Sequence, residues 1–346
     1  MTPTTEGLTG RDFSSLRPVM ETFVAAHGLN GAGLVVVERK DGIVLEEYVG
    51  EFDRDRVSLI ASSSKMITAG VLLRLADDGL LDLDAPVADA VPWGDGNPDI
   101  TPAQLVTNSS GLVGLLPDVA YGPYICQFIG ADLRECGADV FQTDADDADI
   151  VAPDTEFRYG GAQWQVAGAL VEEVSGRSWA ELIDEIYVEP CGVTSLGYAN
   201  HWADADGFGY PEGLDPATLE ATANPHMEGG AYITPPDYAA LLLMHLRGGV
   251  CDGGRVLSEE AVARAHRDRV AEAYGDAGAS QPGYGFGWWI DRETGIITDG
   301  GAYGSLPWLD VDDGYGAYLV IEANSGLGGQ LYGELAPLVD EAMVAA

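Results

Sequence analysis

Apolar residues recur at helical spacing over residues 11 to 27, RDFSSLRPVMETFVAAH, and predict an amphipathic helix with Pro18 confined to its first turns. The next stretch, GAGLVVVERKDGIVLEEYVG (31 to 50), holds two apolar runs around a KDG turn and predicts an antiparallel hairpin. A further helix begins near Ser62 and runs through KMITAGVLLRLADDG. Its apolar positions, Met66, Ile67, Val71, Leu72, Leu73 and Leu75, are almost continuous, so it is expected to be buried on all sides, with Gly79 as the residue just past its end.

From about 80 to 225 the chain is rich in Pro, Gly and Asp, with short helical patterns; 161 to 176 and 178 to 192 are the clearest helices. Residues 235 to 249 predict another helix. YGFGWWID, GIITDGGAYGSLPWLD and YGAYLVIEAN then predict successive strands, and GELAPLVDEAMVAA a closing helix. The order predicts an α+β sandwich: an antiparallel sheet built from both termini, flanked by terminal helices, with a mostly helical insertion. The expected division is residues 1–60 and 231–346 in the sheet lobe and 61–230 in the helical lobe, one domain overall.

Composition fits a folded chain: 346 residues, 46% hydrophobic and 21% charged. No run approaches the roughly 18 apolar residues of a membrane span. The start, MTPTTEGLTGRDF, lacks the basic and apolar regions of a signal peptide, which fits a cytoplasmic protein or a mature form with an added Met. The net charge of -39 repels nucleic acid and anionic membranes, so neither is expected as a partner. An acidic, lysine-poor surface is read either as strong hydration alone or as adaptation to high salt.

Cys126, Cys136, Cys191 and Cys251 form no C-x-x-C pair and no zinc spacing with histidine. Cys126 and Cys136 could pair in one loop region, and free buried thiols are the alternative. The five histidines are scattered, and the acidic turns DGNPD (95 to 99) and DADG, with Asp204 and Asp206, lack the glutamate of a calcium loop. No metal or cofactor is expected.

Candidate chemistry centres on SLIASSSKMITAG (58 to 70), because Lys65 is one of only two lysines, with Lys40. A serine hydroxyl needs a neighbouring base to become a nucleophile. Residues three apart share a helix face, and the serine three before Lys65 is Ser62. Ser62 would also lie at the positive end of the helix dipole. S-x-x-K alone is a weak signal, read more simply as a capping serine with a snorkelling lysine.

Further landmarks follow in order: ITPAQLVTNSSGLVGL (100 to 115), FRYGGAQWQVAGALVEEVSG (157 to 176), GGAYITPPDYAALL (229 to 242) and DGGAYGSLPWLD (299 to 310). With ASSSKMITAGVLLRLADDGLLDLDAPV they make the chain resemble the serine β-lactamase and penicillin-binding protein superfamily over residues 10 to 345. The branch it resembles most is that of the class C β-lactamases and their esterase relatives, the family VIII carboxylesterases.

The resemblance implies an acyl-enzyme on Ser62, with Lys65 and Tyr159 moving protons and the backbone N–H groups of Ser62 and Ala302 forming an oxyanion hole. Asp299, Gly300 and Gly301 stand at the family's K-T-G or H-x-G motif, and Tyr303, just after the oxyanion residue, is the best pocket candidate. Gly229, Gly230, Trp164, Tyr232, Trp288 and Trp289 are further pocket candidates, with core packing the simpler reading for the aromatics. Asn108 and Ser110 are read as support for the cleft.

Two departures bear on substrate. Gly161 replaces the Asn of Y-x-N, and Asp299 replaces the cation that attracts a substrate carboxylate. Both favour neutral or cationic acyl substrates, simple esters first. β-Lactam, D-peptide or amide hydrolysis is the alternative, and a non-catalytic sensor module the alternative of another class.

Overall fold

A computed structural model describes residues 11–115, 122–144, 147–204, 209–275 and 282–344. Residues 1–10, where no signal peptide is expected, Asp206 of the DADG turn and residues 145–146 of the acidic run at 143–150 lie outside the described residues.

Helix α1 (Leu16–His27) starts later than its pattern and ends at Gly28, whose φ of 64° lets its N–H reach Val24 O. It turns Leu16, Met20 and Phe23 inward. Strands β1 (Gly31–Glu38) and β2 (Gly42–Gly50) form the hairpin. The valine run of β1 is continuous because both its faces are covered. Ala32, Leu34 and Val36 face α1 and the last helix, α6 (Ser325–Val344), while Val35 and Val37 join the larger core.

Five more strands complete an antiparallel sheet: β3 (Gly283–Tyr284), β4 (Trp289–Ile290), β5 (Ile297–Thr298), β6 (Leu306–Asp310) and β7 (Tyr315–Val320). Their order is β2-β1-β7-β6-β5-β4-β3, so chain-distant strands meet in the middle, with Gly33 opposite Val320.

The stretch GIITDGGAYGSLPWLD is two strands rather than one. Residues 299–305 leave the sheet between β5 and β6. A Cβ at Gly301 would lie 2.1 Å from Ile60 O, so this glycine lets the loop press against the backbone that precedes Ser62.

Helix α2 (Lys65–Asp77) is buried along nearly its whole length, as its apolar sequence predicts. Helix α4 (Gln163–Ser175) packs on it and α3 (Leu133–Phe141) on α4, while α5 (Pro235–Leu246) packs on β1 and β7, all within one core. The helix expected over 178–192 is interrupted by a wide turn at Asp184–Val188. Cys126 is joined to Cys136, and Cys191 to Cys251, so all four cysteines are paired. No helix among the described residues is long and apolar enough to cross a membrane.

Candidate active site

The three clustered serines have different partners. The chain enters from the short strand Ser58–Leu59, passes Ala61 at φ 46°, and makes one tight turn over Ala61–Ser64 before α2. A non-glycine residue in this left-handed region is held there by its surroundings. Ser63 Oγ donates to Asp299 O at 2.5 Å, and Ser64 Oγ donates to Ala61 O at 2.6 Å while accepting from Ala231 N. Both are buried. Ser62 alone is part-exposed, with its Oγ 3.2 Å from Lys65 Nζ.

Lys65 is fully buried. Its ammonium donates to Ser62 Oγ and to Glu228 O at 3.2 Å, and pairs with Glu228 Oε2 at 2.9 Å. It also sits 4.6 Å from the centre of the Tyr159 ring and 5.5 Å from that of Trp164. Burial alone would lower the lysine pKa, but the Glu228 carboxylate overrides it, and the group is held charged above its ordinary value. Separating a buried pair of this kind leaves a charge without a partner, which costs about 3–5 kcal/mol.

Tyr159 lies beside this pair, packed against Trp289 at 4.9 Å and edge-on to Tyr284. Burial raises its hydroxyl pKa, and the Lys65 charge and the Ser62 hydroxyl oppose that rise only in part. Asn108 Oδ1 holds the segment by accepting from Gly160 N and from Trp164 Nε1, and Ser110 Oγ donates to Gln163 Oε1.

Glu228 escaped the sequence reading. It occupies the space beside Tyr159 that the two following glycines leave open. Its Oε1 accepts from Gly161 N at 2.9 Å, and a Cβ at Gly160 would come within 2.5 Å of its Oε2. Gly161 itself has φ 82°, and a Cβ there would meet Gly114 C at 2.6 Å, so the missing Asn has no room in this backbone. Neighbouring Met227 is pinned on both sides, its O by Thr68 Oγ1 at 2.7 Å and its N by Gln165 Oε1 at 3.1 Å. The available signal was a single acidic residue in HMEGGAY, directly before a glycine pair.

Two expectations about the third motif are corrected. Asp299 does not confront a substrate: it is 0% exposed, and its Oδ2 accepts from Met66 N at the start of α2. Burial pushes its carboxyl well above the ordinary range, against the pull of Lys65 and of the Met66 N–H. Tyr303 is no open pocket wall either. It is 0% exposed, stacked on Trp202 at 5.0 Å and hydrogen-bonded to His201 Nε2 at 2.9 Å.

The loop that carries these two residues is held against Ile60, two residues before Ser62. Ser305 Oγ donates to Ile60 O at 2.8 Å, and Gly301 N to Ser305 O. Among the described residues neither the Ser62 nor the Ala302 amide has a hydrogen-bond acceptor, so both remain free as donors. A Cβ at Gly300 would make only ordinary contact with the Leu306 side chain, at 3.8 Å. Trp164 and Trp288 are core residues, whereas Tyr232 and Trp289 are part-exposed. Gly229 accepts from Trp202 Nε1, and Gly230 packs against Ala199 O. A separate cavity of about 520 Å³, lined by Arg134, Glu172, Trp179 and Tyr232 among others, contains none of Ser62, Lys65 and Tyr159.

Comparison with known proteins agrees with this architecture. The beta-lactamase family profile matches residues 16–336. The chain is 28% identical over 337 residues to penicillin-binding protein 4 of Amycolatopsis lactamdurans, covering 89% of this chain and 84% of that one. It is 31% identical over 188 residues to esterase EstB of Burkholderia gladioli, covering 52% and 47%. The structure of EstCE1, a hydrolase with promiscuous acyltransferase activity, superposes with a TM-score of 0.75 over 94% of this chain and 97% of that one at 21% identity, which shows a shared fold.

Proposed function

The chain belongs to the beta-lactamase family, and from that premise we propose that it is a serine hydrolase acting through an acyl-enzyme on Ser62, with small neutral carboxylic esters as substrates. The observation that carries this reading is the part-exposed Ser62 Oγ, 3.2 Å from the buried Lys65 Nζ.

Ser62 Oγ attacks the acyl carbon. The carbonyl oxygen gains charge, and the Ser62 and Ala302 N–H groups stabilise it. The Ser62 proton leaves toward Lys65 and Tyr159 and is returned to the departing alcohol. Water then attacks the acyl-enzyme along the same route in reverse.

Neutral substrates follow from the charges on the site residues. Lys65 is their one cation, and Glu228 already neutralises it. Gly161 offers no side-chain amide, and the third motif no basic residue. The substrate preference therefore rests on the absence of an anion-binding group rather than on repulsion by Asp299.

A second reading, β-lactam hydrolysis, is favoured by the likeness to a penicillin-binding protein along most of the chain. Hydrolysis of short-chain nitrophenyl esters and of a chromogenic cephalosporin by the same preparation separates the two. Ser62→Ala is expected to abolish turnover of either substrate and labelling by a fluorophosphonate probe. Full activity in that variant would overturn the assignment.

A further inference from the structure

The geometry points to Glu228 as the terminal proton acceptor of Ser62 acylation, acting through Lys65; this rests on the serine-hydrolase reading above and adds a residue to it. Lys65 Nζ stands between two oxygens, Ser62 Oγ at 3.2 Å and Glu228 Oε2 at 2.9 Å. An ammonium in that position has no lone pair with which to take the serine proton. It must first release one of its own, and the carboxylate bonded to it is Glu228.

The other candidate acceptors are less suited. Tyr159 can relay a proton but not store one, because burial raises its pKa and keeps its own hydroxyl protonated. Asp299 is bonded to the Met66 amide and not to Lys65. Glu228 is held for the task from three directions: its carboxylate by Gly161 N, its own carbonyl by Lys65, and the preceding Met227 by Thr68 and Gln165.

The proton balance closes. As the Ser62 Oγ–acyl bond forms, the Ser62 O–H proton moves to Lys65 Nζ, and a Lys65 N–H proton moves to Glu228 Oε2. Collapse of the tetrahedral intermediate breaks the bond to the leaving oxygen. The proton on Glu228 returns through Lys65 to that oxygen, restoring ammonium and carboxylate. Glu228 acts through Lys65 and is therefore a positioning residue.

Glu228→Gln keeps the amide acceptor for Gly161 N–H but removes the proton acceptor. Loss of the carboxylate also frees burial to lower the Lys65 pKa, so Lys65 itself becomes the base at higher pH. The other titratable groups interacting with Glu228 are Tyr159 and Tyr284 from the aromatic wall, while Asp299 from the β5–β6 loop and His226, two residues earlier in the chain, interact with Lys65. Burial and the Lys65 charge hold His226 near a pKa of about 3, so it stays neutral over the working range.

The test measures two quantities against pH for wild type, Glu228→Gln and Glu228→Asp: nitrophenyl ester turnover and the rate of fluorophosphonate labelling at Ser62. In Glu228→Gln, kcat is expected to fall roughly 100-fold or more, the scale of lost acid–base catalysis. The limb on which activity rises with pH is expected to move to the alkaline side. Glu228→Asp is expected to retain the wild-type limb at reduced rate, and it carries the test if the Gln variant does not fold. A Gln variant with an unmoved limb, whether fast or slow, or an Asp variant with a displaced limb, would overturn the relay. Wild type that neither turns over ester nor labels at Ser62 would instead overturn the hydrolase reading.

Discussion

Gly161 shows how one position can look like a lost function and be a refitted one. Its left-handed φ and the backbone of Gly114 exclude any side chain, and Glu228 supplies the polar contact from the opposite wall. Restoring the family residue should therefore harm the protein. Gly161→Asn is expected to lower unfolding stability by about 1–3 kcal/mol, the usual cost of a strained backbone position, and to reduce ester turnover. A denaturant midpoint and rate equal to wild type would show that the loop has room. Ser62, Lys65 and Tyr159 were legible because their signals are short-range: a three-residue spacing, a rare lysine, a tyrosine in a recognisable segment. Glu228 was not, because its partnership with Lys65 spans 163 residues and has no local pattern. The inward turn of Asp299 was hidden for the same reason.

Elements with one dominant period read well, and those shaped by a distant contact did not. The all-round apolar run of α2 translated directly into a buried helix. The DGGAYGS loop carries residues that also suit a strand, and only its approach to Ile60 pulls it out of the sheet. A pair of helices packs in a way that makes acid sensitivity measurable. His245 Nδ1, on α5, and His266 Nε2, just past the helix Glu259–Ala265, lie 3.1 Å apart, with Trp288 edge-on to both rings. Burial lowers the His266 pKa to about 4, and burial together with His266 lowers that of His245 further. The unfolded chain takes up these protons near pH 6.5, whereas the folded chain refuses them. The stability contributed by the neutral pair is thus complete above that pH and declines as pH falls toward 4. Urea midpoints are expected to drop on acidification through that window, and less steeply in His266→Gln. Equal slopes in the two proteins would remove the pair from the account.

At the scale of the whole molecule the dominant quantity is charge. Acidic residues number 56 against 17 basic ones. Among the described residues every arginine except Arg39 lies within ion-pair distance of a carboxylate, and Arg39 is bonded to Leu246 O and Val311 O. Most carboxylates are left to repel one another. Exposed pairs contribute at most about 1 kcal/mol each, so screening the repulsion should outweigh weakening the pairs. The melting temperature is expected to rise between about 0.05 M and about 1 M NaCl, as the screening length shrinks from over ~10 Å to ~3 Å. A flat or falling melting temperature would contradict that balance.

The sheet also imposes an order on synthesis. Strand β1 is buried on both faces, and one of its edges is covered only by β7, from the far end of the chain. At roughly 5–20 residues per second, the valine-rich edge of β1 waits on the order of tens of seconds before its partner leaves the ribosome. The nascent protein therefore presents an unpaired apolar strand, the feature most prone to joining a neighbouring chain, while its helical middle is already complete. A holdase that covers this hairpin during translation would meet a need written into the topology.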